Sequence, residues 1–275
     1  WQTVTDWGGW QYSMPTDNFT PNSIQYSPGG LFNSQWDVNY YHYYNGDPTF
    51  PVVGDIPAAR LCGLTGGNQI SNVQKLGSAP LKLSYASSQQ KFSFSGGTPN
   101  ANNTSILKPY TGIKVSSAGV GSGLKFTVPA DTSLRTLKVY AGIQGATGTF
   151  TAALSDGSAA PYTDSSLTEP SGYSSNIKSG VYTLNYRAAS AGQILTVSFV
   201  ESTNISSGND AMILEAATLV VGAQSAVPSL SGAYAAAAAT LVAVDLTAEG
   251  TADWAAWAVY SDVDYTHKQC VQSIL

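Results

Sequence analysis

The chain has 275 residues, of which 11% are charged, with 16 Tyr, 6 Trp and a formal net charge of −5. An average soluble domain carries about 25% charged residues; here Ser, Thr, Asn, Gly, Ala and Tyr take their place, the uncharged polar surface of an extracellular or cell-surface protein. No Lys/Arg cluster supplies the attraction that nucleic-acid binding needs, and the longest apolar stretch, Ala233–Val244, is too short to cross a bilayer.

The sequence opens at Trp1 without Met, which reads as a mature, processed secreted chain. "TDWGGW" follows at Thr5–Trp10. "WDVNYYHYYNGDPTFPVVGD" (Trp36–Asp55) is rich in aromatics, Pro and Gly. It is too aromatic for a disordered linker and reads as an ordered insertion, about residues 25–66, in a module spanning 1–223. Trp36, Tyr40, Tyr41, Tyr43, Tyr44 and Phe50 are dense for a loop. Flat aromatic faces pack on sugar rings, and the same residues also build satellite cores and subunit contacts. Both uses stay open.

From Leu81 to Val221 the pattern is alternation. Leu81, Leu83 and Tyr85, then Phe92 and Phe94, recur at every second position. "GLKFTVPADTSLRTLKVYAGI" gives Leu124, Phe126 and Val128, a Pro-Ala-Asp turn, then Leu137, Val139 and Ala141. "GTFTAALSDGS" and "GVYTLNYRAASAGQILTVSFV" continue the rule, and "AMILEAATLVV" closes the series. Period two puts alternate side chains on one face, the mark of half-buried antiparallel strands. Short strands with Gly, Asp-Gly and Pro between them predict an all-β, jelly-roll-like antiparallel sandwich.

After Val221 the composition shifts to "GAQSAVPSLSGAYAAAAA", read as an Ala/Ser linker over 224–239. "TLVAVDLTAEGTADW" resumes the alternation, so 240–275 reads as a half-repeat with a leading strand at Thr240–Thr247. Its apolar anchors are Leu241, Val242, Val244 and Leu246.

The stretches "DLTAEGTADWAAW", "GLKFTVPADTSLRTLKVYAG", "FTAALSDGSAAPYTDSSL", "GVYTLNYRAASAGQILTVSF" and "AMILEAATL" together resemble a β-sandwich module of secreted microbial proteins. That module occurs alone, in tandem or beside carbohydrate-active domains. The resemblance covers roughly Gln69–Val221 and both Asp-Trp segments. It implies a lectin-like, sugar-binding role and no catalytic residues. Its usual order places the leading strand and D-W-x-x-W before Q-I-S. Here Gln69-Ile70-Ser71 stands early, and the leading strand stands at the far end of the chain.

Three origins account for that C-terminal copy: a boundary cut through a tandem array, a circular permutation that folds back on its own module, or a strand donated to the next subunit. An incomplete sandwich leaves a costly edge, and an added strand satisfies it. Head-to-tail donation builds an open filament, so the expected partner is a further copy of the chain, with polysaccharide as the alternative partner. Cys62 and Cys270 precede Q-I-S and Q-S-I in the two copies. An extracellular chain normally pairs two such cysteines, within one subunit or between neighbours.

No cofactor or metal is expected, and no catalysis. His42 and His267 have no nucleophile signature beside them. Asp37, Asp47 and Asp55 lie in a Gly/Pro-rich segment where acids cap turns. Asp131, Asp156 and Asp164 fall at turns, which Asx-turn chemistry explains without calcium.

Overall fold

The structure, a computed structural model, describes residues 2–5, 11–14, 62–79, 81–83, 88–98, 102–103, 109–110, 112–116, 119–169, 177–206, 208–224, 227–238, 242–257 and 259–260. Trp36, Tyr40, Tyr41, Tyr43, Tyr44, Phe50, Leu241 and Cys270 lie outside the described residues, as do both histidines; Cys62 and Val242 are described by their backbone. The chain divides into two compact units, Trp1–Gly54 and Asp55–Leu275. In the first, β1 (Gln2–Thr5) pairs antiparallel with β2 (Gln11–Met14).

The second unit carries β3 (Cys62–Leu64), β4 (Gln74–Leu76), β5 (Leu81–Leu83), β6 (Gln90–Ser95), β7 (Gly97–Thr98), β8 (Asn102–Asn103), β9 (Pro109–Tyr110) and β10 (Ile113–Ser116). The long strands follow: β11 (Gly123–Ala130), β12 (Ser133–Gln144), β13 (Ala146–Leu154), β14 (Tyr162–Asp164), β15 (Lys178–Arg187), β16 (Gln193–Asn204) and β17 (Ala211–Gln224). Then come β18 (Ser229–Ala236), β19 (Val242–Asp245), the one-turn helix α1 (Leu246–Glu249), β20 (Asp253–Ala256) and β21 (Val259–Tyr260).

Two antiparallel sheets form a sandwich. One runs β18-β15-β12-β17-β20-β3-β7, with β10 and β5 joined to β17; the other runs β14-β13-β16-β11-β4. Alternation sorts the side chains as the sequence indicates. Leu124, Phe126, Val128, Leu137, Val139, Phe150, Tyr182, Leu184, Leu195, Val197 and Phe199 are buried, while their strand neighbours Lys125, Thr127, Lys138 and Thr196 are half-exposed. Phe150 stacks on Tyr182 at 3.9 Å between ring centroids. The Tyr186 hydroxyl donates to the Pro129 carbonyl at 3.0 Å and ties the sheets together.

A third layer lies on the outside of the larger sheet. β19 pairs with β6 in parallel, and β6 pairs with β8. Phe92, Phe94, Tyr140, Ala216, Leu246, Trp254 and Ala256 form a second buried cluster there.

Two stretches differ from the sequence reading. The Ala/Ser segment expected as a linker over 224–239 instead forms β18, in register with β15 from Gly180↔Ala236 to Arg187↔Ser229. A Gly-Ala-Ser composition does not reveal a ladder that a distant strand provides. The leading strand expected at Thr240–Thr247 ends at Asp245. The Asp245 carboxylate accepts the amides of Thr247 (3.0 Å) and Ala248 (3.1 Å), so it caps α1 and turns the chain. Leu246 is therefore buried from a helix rather than a strand.

Candidate functional site

The strongest constellation is the seat of the C-terminal segment on the sandwich. β20 adds to the edge of β17 of the same chain, from Ala216↔Ala256 to Leu219↔Asp253. β3, which precedes Gln69, then adds to β20 through Ala255↔Gly63 and Ala256↔Cys62. The segment thus occupies the position before Q-I-S that the module order assigns to a leading strand. In the single chain it closes its own module.

Thr247, Glu249 and Asp253 find partners on the sandwich, while the indole Nε1 of Trp254 and that of Trp257 are buried without one. Asp253 Oδ2 accepts the amides of Gln69 and Ile70, both at 2.8 Å. Gln69 Nε2 donates to the Ala252 carbonyl at 3.1 Å, and Gln69 Oε1 accepts from Arg135 at 2.9 Å. Arg135 in turn bonds Asp131 at 2.9 Å, and this guanidinium holds the Asp131 carboxyl below the usual carboxylate range. Thr247 Oγ1 accepts the Ser95 amide and donates to the Ser95 carbonyl, each at 2.8 Å. Glu249 accepts from Lys138 at 3.0 Å and from the Tyr140 hydroxyl at 2.5 Å. Burial, then Glu249, raises the Tyr140 pKa, so this hydroxyl stays protonated as donor. A Cβ on Gly67 would come within 2.1 Å of Asp253 Oδ1, so the seat admits only glycine there without moving the carboxylate.

The two tryptophans explain the spacing. In extended chain, residues three apart point to opposite faces. Trp254 packs on Phe94 in the outer layer, with ring centroids 4.7 Å apart. Trp257 packs on Phe126 in the sandwich core at 5.5 Å. Both are fully buried. Of the expected anchors, Leu246 is buried and Val244 is half-buried against the outer cluster.

Three other features were not singled out by sequence. Glu215 sits at a register slip of β17 against β12, where Tyr140↔Ala216 is followed by Ala141↔Leu214. Such a bulge re-aims a side chain. Glu215 Oε1 accepts from Ser88 (2.9 Å) and Ser179 (2.7 Å), while Oε2 is buried without a donor. Burial pushes its pKa up to about 7, against the two serine bonds. The Glu215 carbonyl accepts the Trp257 amide at 2.7 Å, so the bulge also holds the C-terminal segment. A charged letter inside the apolar run "AMILEAATL" was the available signal. The second feature is the buried pair Glu201 and Asp210. Its signal was phase: Glu201 continues the inward series Leu195, Val197, Phe199.

The third is the edge where β14 and β18 meet. Tyr162 lies against Gly232 and Tyr234 against Gly180. Both rings are half-exposed, and Asp164 bonds Tyr162. The turn aspartates are Asx turns: Asp131, Asp156 and Asp164 accept the amides of Ser133 (2.7 Å), Ser158 (3.0 Å) and Ser166 (2.8 Å).

No protein-family model and no curated protein matches the chain. Among solved structures, the enzymatically active domain of tailspike protein 4 from bacteriophage CBA120 aligns at 13% identity and TM-score 0.29, over 56% of this chain and 19% of that one. The CBM35 of Cellvibrio japonicus Abf62 aligns at 12% identity and TM-score 0.24, over 56% of this chain and all (100%) of that one. A Xyl-CBM35, solved with a glucuronic acid-containing disaccharide, aligns at 13% identity and TM-score 0.24 over the same shares, 56% and 100%.

Proposed function

We propose that this chain is a non-catalytic extracellular structural or adhesive subunit, and that its C-terminal segment is an exchangeable closing element for the sandwich. In an isolated chain it closes its own module; in a head-to-tail assembly it closes the next copy. The observation that carries the reading is the seat: Thr247, Glu249, Asp253, Trp254 and Trp257 are each held by residues that lie earlier in the chain. Such a seat is indifferent to which copy supplies the segment. Light scattering across a concentration series, with electron microscopy of the concentrated protein, tests it. Growing head-to-tail oligomers are expected, and Leu246→Ala with Trp254→Ala should abolish them. Monomers at every concentration would remove the assembly reading and leave a self-closed module.

A second reading, a carbohydrate-binding module of a larger secreted protein, is favoured by the edge at Tyr162, Tyr234 and Asp164. Half-exposed tyrosine rings beside a carboxylate supply stacking faces and a hydroxyl acceptor. Polysaccharide pull-down is expected to retain the wild-type chain and to lose Tyr162→Ala with Tyr234→Ala. Absence of wild-type retention on any polysaccharide counts against it.

A further inference from the structure

Glu215 stands at the β17 bulge, fully buried, and its carboxyl group closes a triangle of oxygens. Glu215 Oε1 lies 2.9 Å from Ser88 Oγ and 2.7 Å from Ser179 Oγ, and the two hydroxyls lie 3.0 Å apart. Three contacts need three protons, and each hydroxyl supplies one. With the carboxylate ionised, both go to Oε1 and the Ser88–Ser179 contact has none. With Oε1 protonated, each oxygen donates once and accepts once around the ring. The triangle is complete only when the carboxyl group holds a proton. Oε2 is buried without a donor, so nothing solvates a charge on it.

The triangle is joined to the closing element at two points. Ser88 Oγ also accepts the Gln90 amide at 3.0 Å, and Gln90 is in register with Val242 where β6 meets β19. The Glu215 carbonyl accepts the Trp257 amide at 2.7 Å, and the next residue, Ala216, is in register with Ala256 of β20. We propose that the Glu215–Ser88–Ser179 triangle is a proton-operated latch on the closing element: protonated, it keeps β19, α1 and β20 seated; deprotonated, it favours their release. The inference rests on the reading of that segment as exchangeable and names its trigger. A carboxylate in the seated state is cut off from water and regains it on release, so loss of the proton shifts the balance toward release.

The side chains around Glu215 leave that balance to burial. β15 contributes Ser179, the stretch before β6 contributes Ser88, and β12 contributes Gly142, where a Cβ would stand 2.9 Å from Oε1. The titratable and charged groups on the packed elements are Lys138 and Tyr140, both held by Glu249; Asp253, bonded to the Gln69 turn; Lys178, which is exposed; Lys91; and Lys114 of β10, opposite Ile213. Burial pushes the Glu215 pKa up to about 7, against the two serine bonds, and none of these groups offsets it. Once released, the carboxyl group titrates near its ordinary 4.5. The opening constant of the closing element therefore rises about tenfold from about pH 6 to pH 8.

Amide exchange of the full chain in dilute solution at about pH 6 and pH 8, divided by the intrinsic exchange rates, tests the latch. Residues 242–257 are expected to open more readily than β13 and β16 at both values, and about tenfold more often at the higher one. Glu215→Gln should abolish the rise. Opening of 242–257 that is equal at the two pH values would overturn the latch. So would exchange of this segment only together with β13 and β16, or a rise that persists in the folded variant. The first two results need only the wild-type chain, so they decide the matter even where the variant does not fold. The readout is opening within single chains and is separate from assembly: monomers at every concentration would remove the assembly reading and leave the latch standing.

Discussion

Asp253 shows how much one side chain contributes to the seat. Its carboxylate satisfies two amides of the Gln69–Ile70 turn that lies over it. A buried donor left without a partner costs about 1–3 kcal/mol. Asp253→Ala is therefore expected to lower the unfolding free energy by about 2–5 kcal/mol, read from urea titration. Asp253→Asn, which keeps an acceptor oxygen, should cost less. A loss below about 1 kcal/mol would mean the turn is held by other bonds. Glu215 makes the opposite kind of prediction. Its pKa rises from 4.5 to about 7 on burial, so between those values the folded chain holds a proton that the unfolded chain has released. Stability is then full below about pH 4.5 and falls by about 1.4 kcal/mol per pH unit until about pH 7, above which it levels. Glu215→Gln removes this slope and should gain most over wild type above neutrality. Glu201, raised to about 7 by burial and then by Asp210, adds a slope of the same sign. Melting curves from about pH 5 to 8 check it; a stability that rises with pH in wild type and mutant alike would refute the assignment.

At the scale of elements, the C-terminal segment behaves as one part. β19, α1, β20 and the residue after it bury Leu246, Trp254 and Trp257 and hydrogen-bond to β6, β12, β17 and the Gln69 turn. Truncating a buried Leu to Ala costs about 2–5 kcal/mol. Leu246→Ala should therefore release this segment locally before the sandwich unfolds. Amide exchange is expected to quicken across residues 242–257 while β12, β13 and β16 keep their protection. Uniform quickening over every strand would show instead that the segment and sandwich unfold as one unit. The motif letters owe their identity to this seat. Thr247 closes on Ser95, Glu249 on Lys138 and Tyr140, and Asp253 on the turn, while the Trp spacing of three serves two layers at once.

For the molecule as a whole, the closing element and the strand it meets lie at opposite ends of the second unit's sequence. The backbone of Cys62 is in register with Ala256, and Cys270 follows it along the chain. A disulfide within one subunit gives a monomer band that shifts on reduction. A disulfide between exchanged copies gives a ladder on a non-reducing gel. The proposed assembly predicts the ladder in concentrated preparations and the monomer in dilute ones. Two freely reactive thiols in the folded protein would exclude both bonds.

The sequence alone determined the strands and their inward faces, because period two is a local property that each strand carries in its own side chains. Leu124-Phe126-Val128 and Leu195-Val197-Phe199 point inward as their alternation requires, and the turn aspartates cap their own loops at i+2. Only the tertiary structure decided which strand meets which. The bond from Gln69 to Asp253 spans 184 residues, and no local pattern encodes a partner at that distance. The same reason hid β18, whose Ala, Ser and Gly residues become a strand only because β15 offers an edge. It also hid the acids: their letters were visible, but Glu201, Asp210 and Glu215 become buried groups only when two sheets close over them.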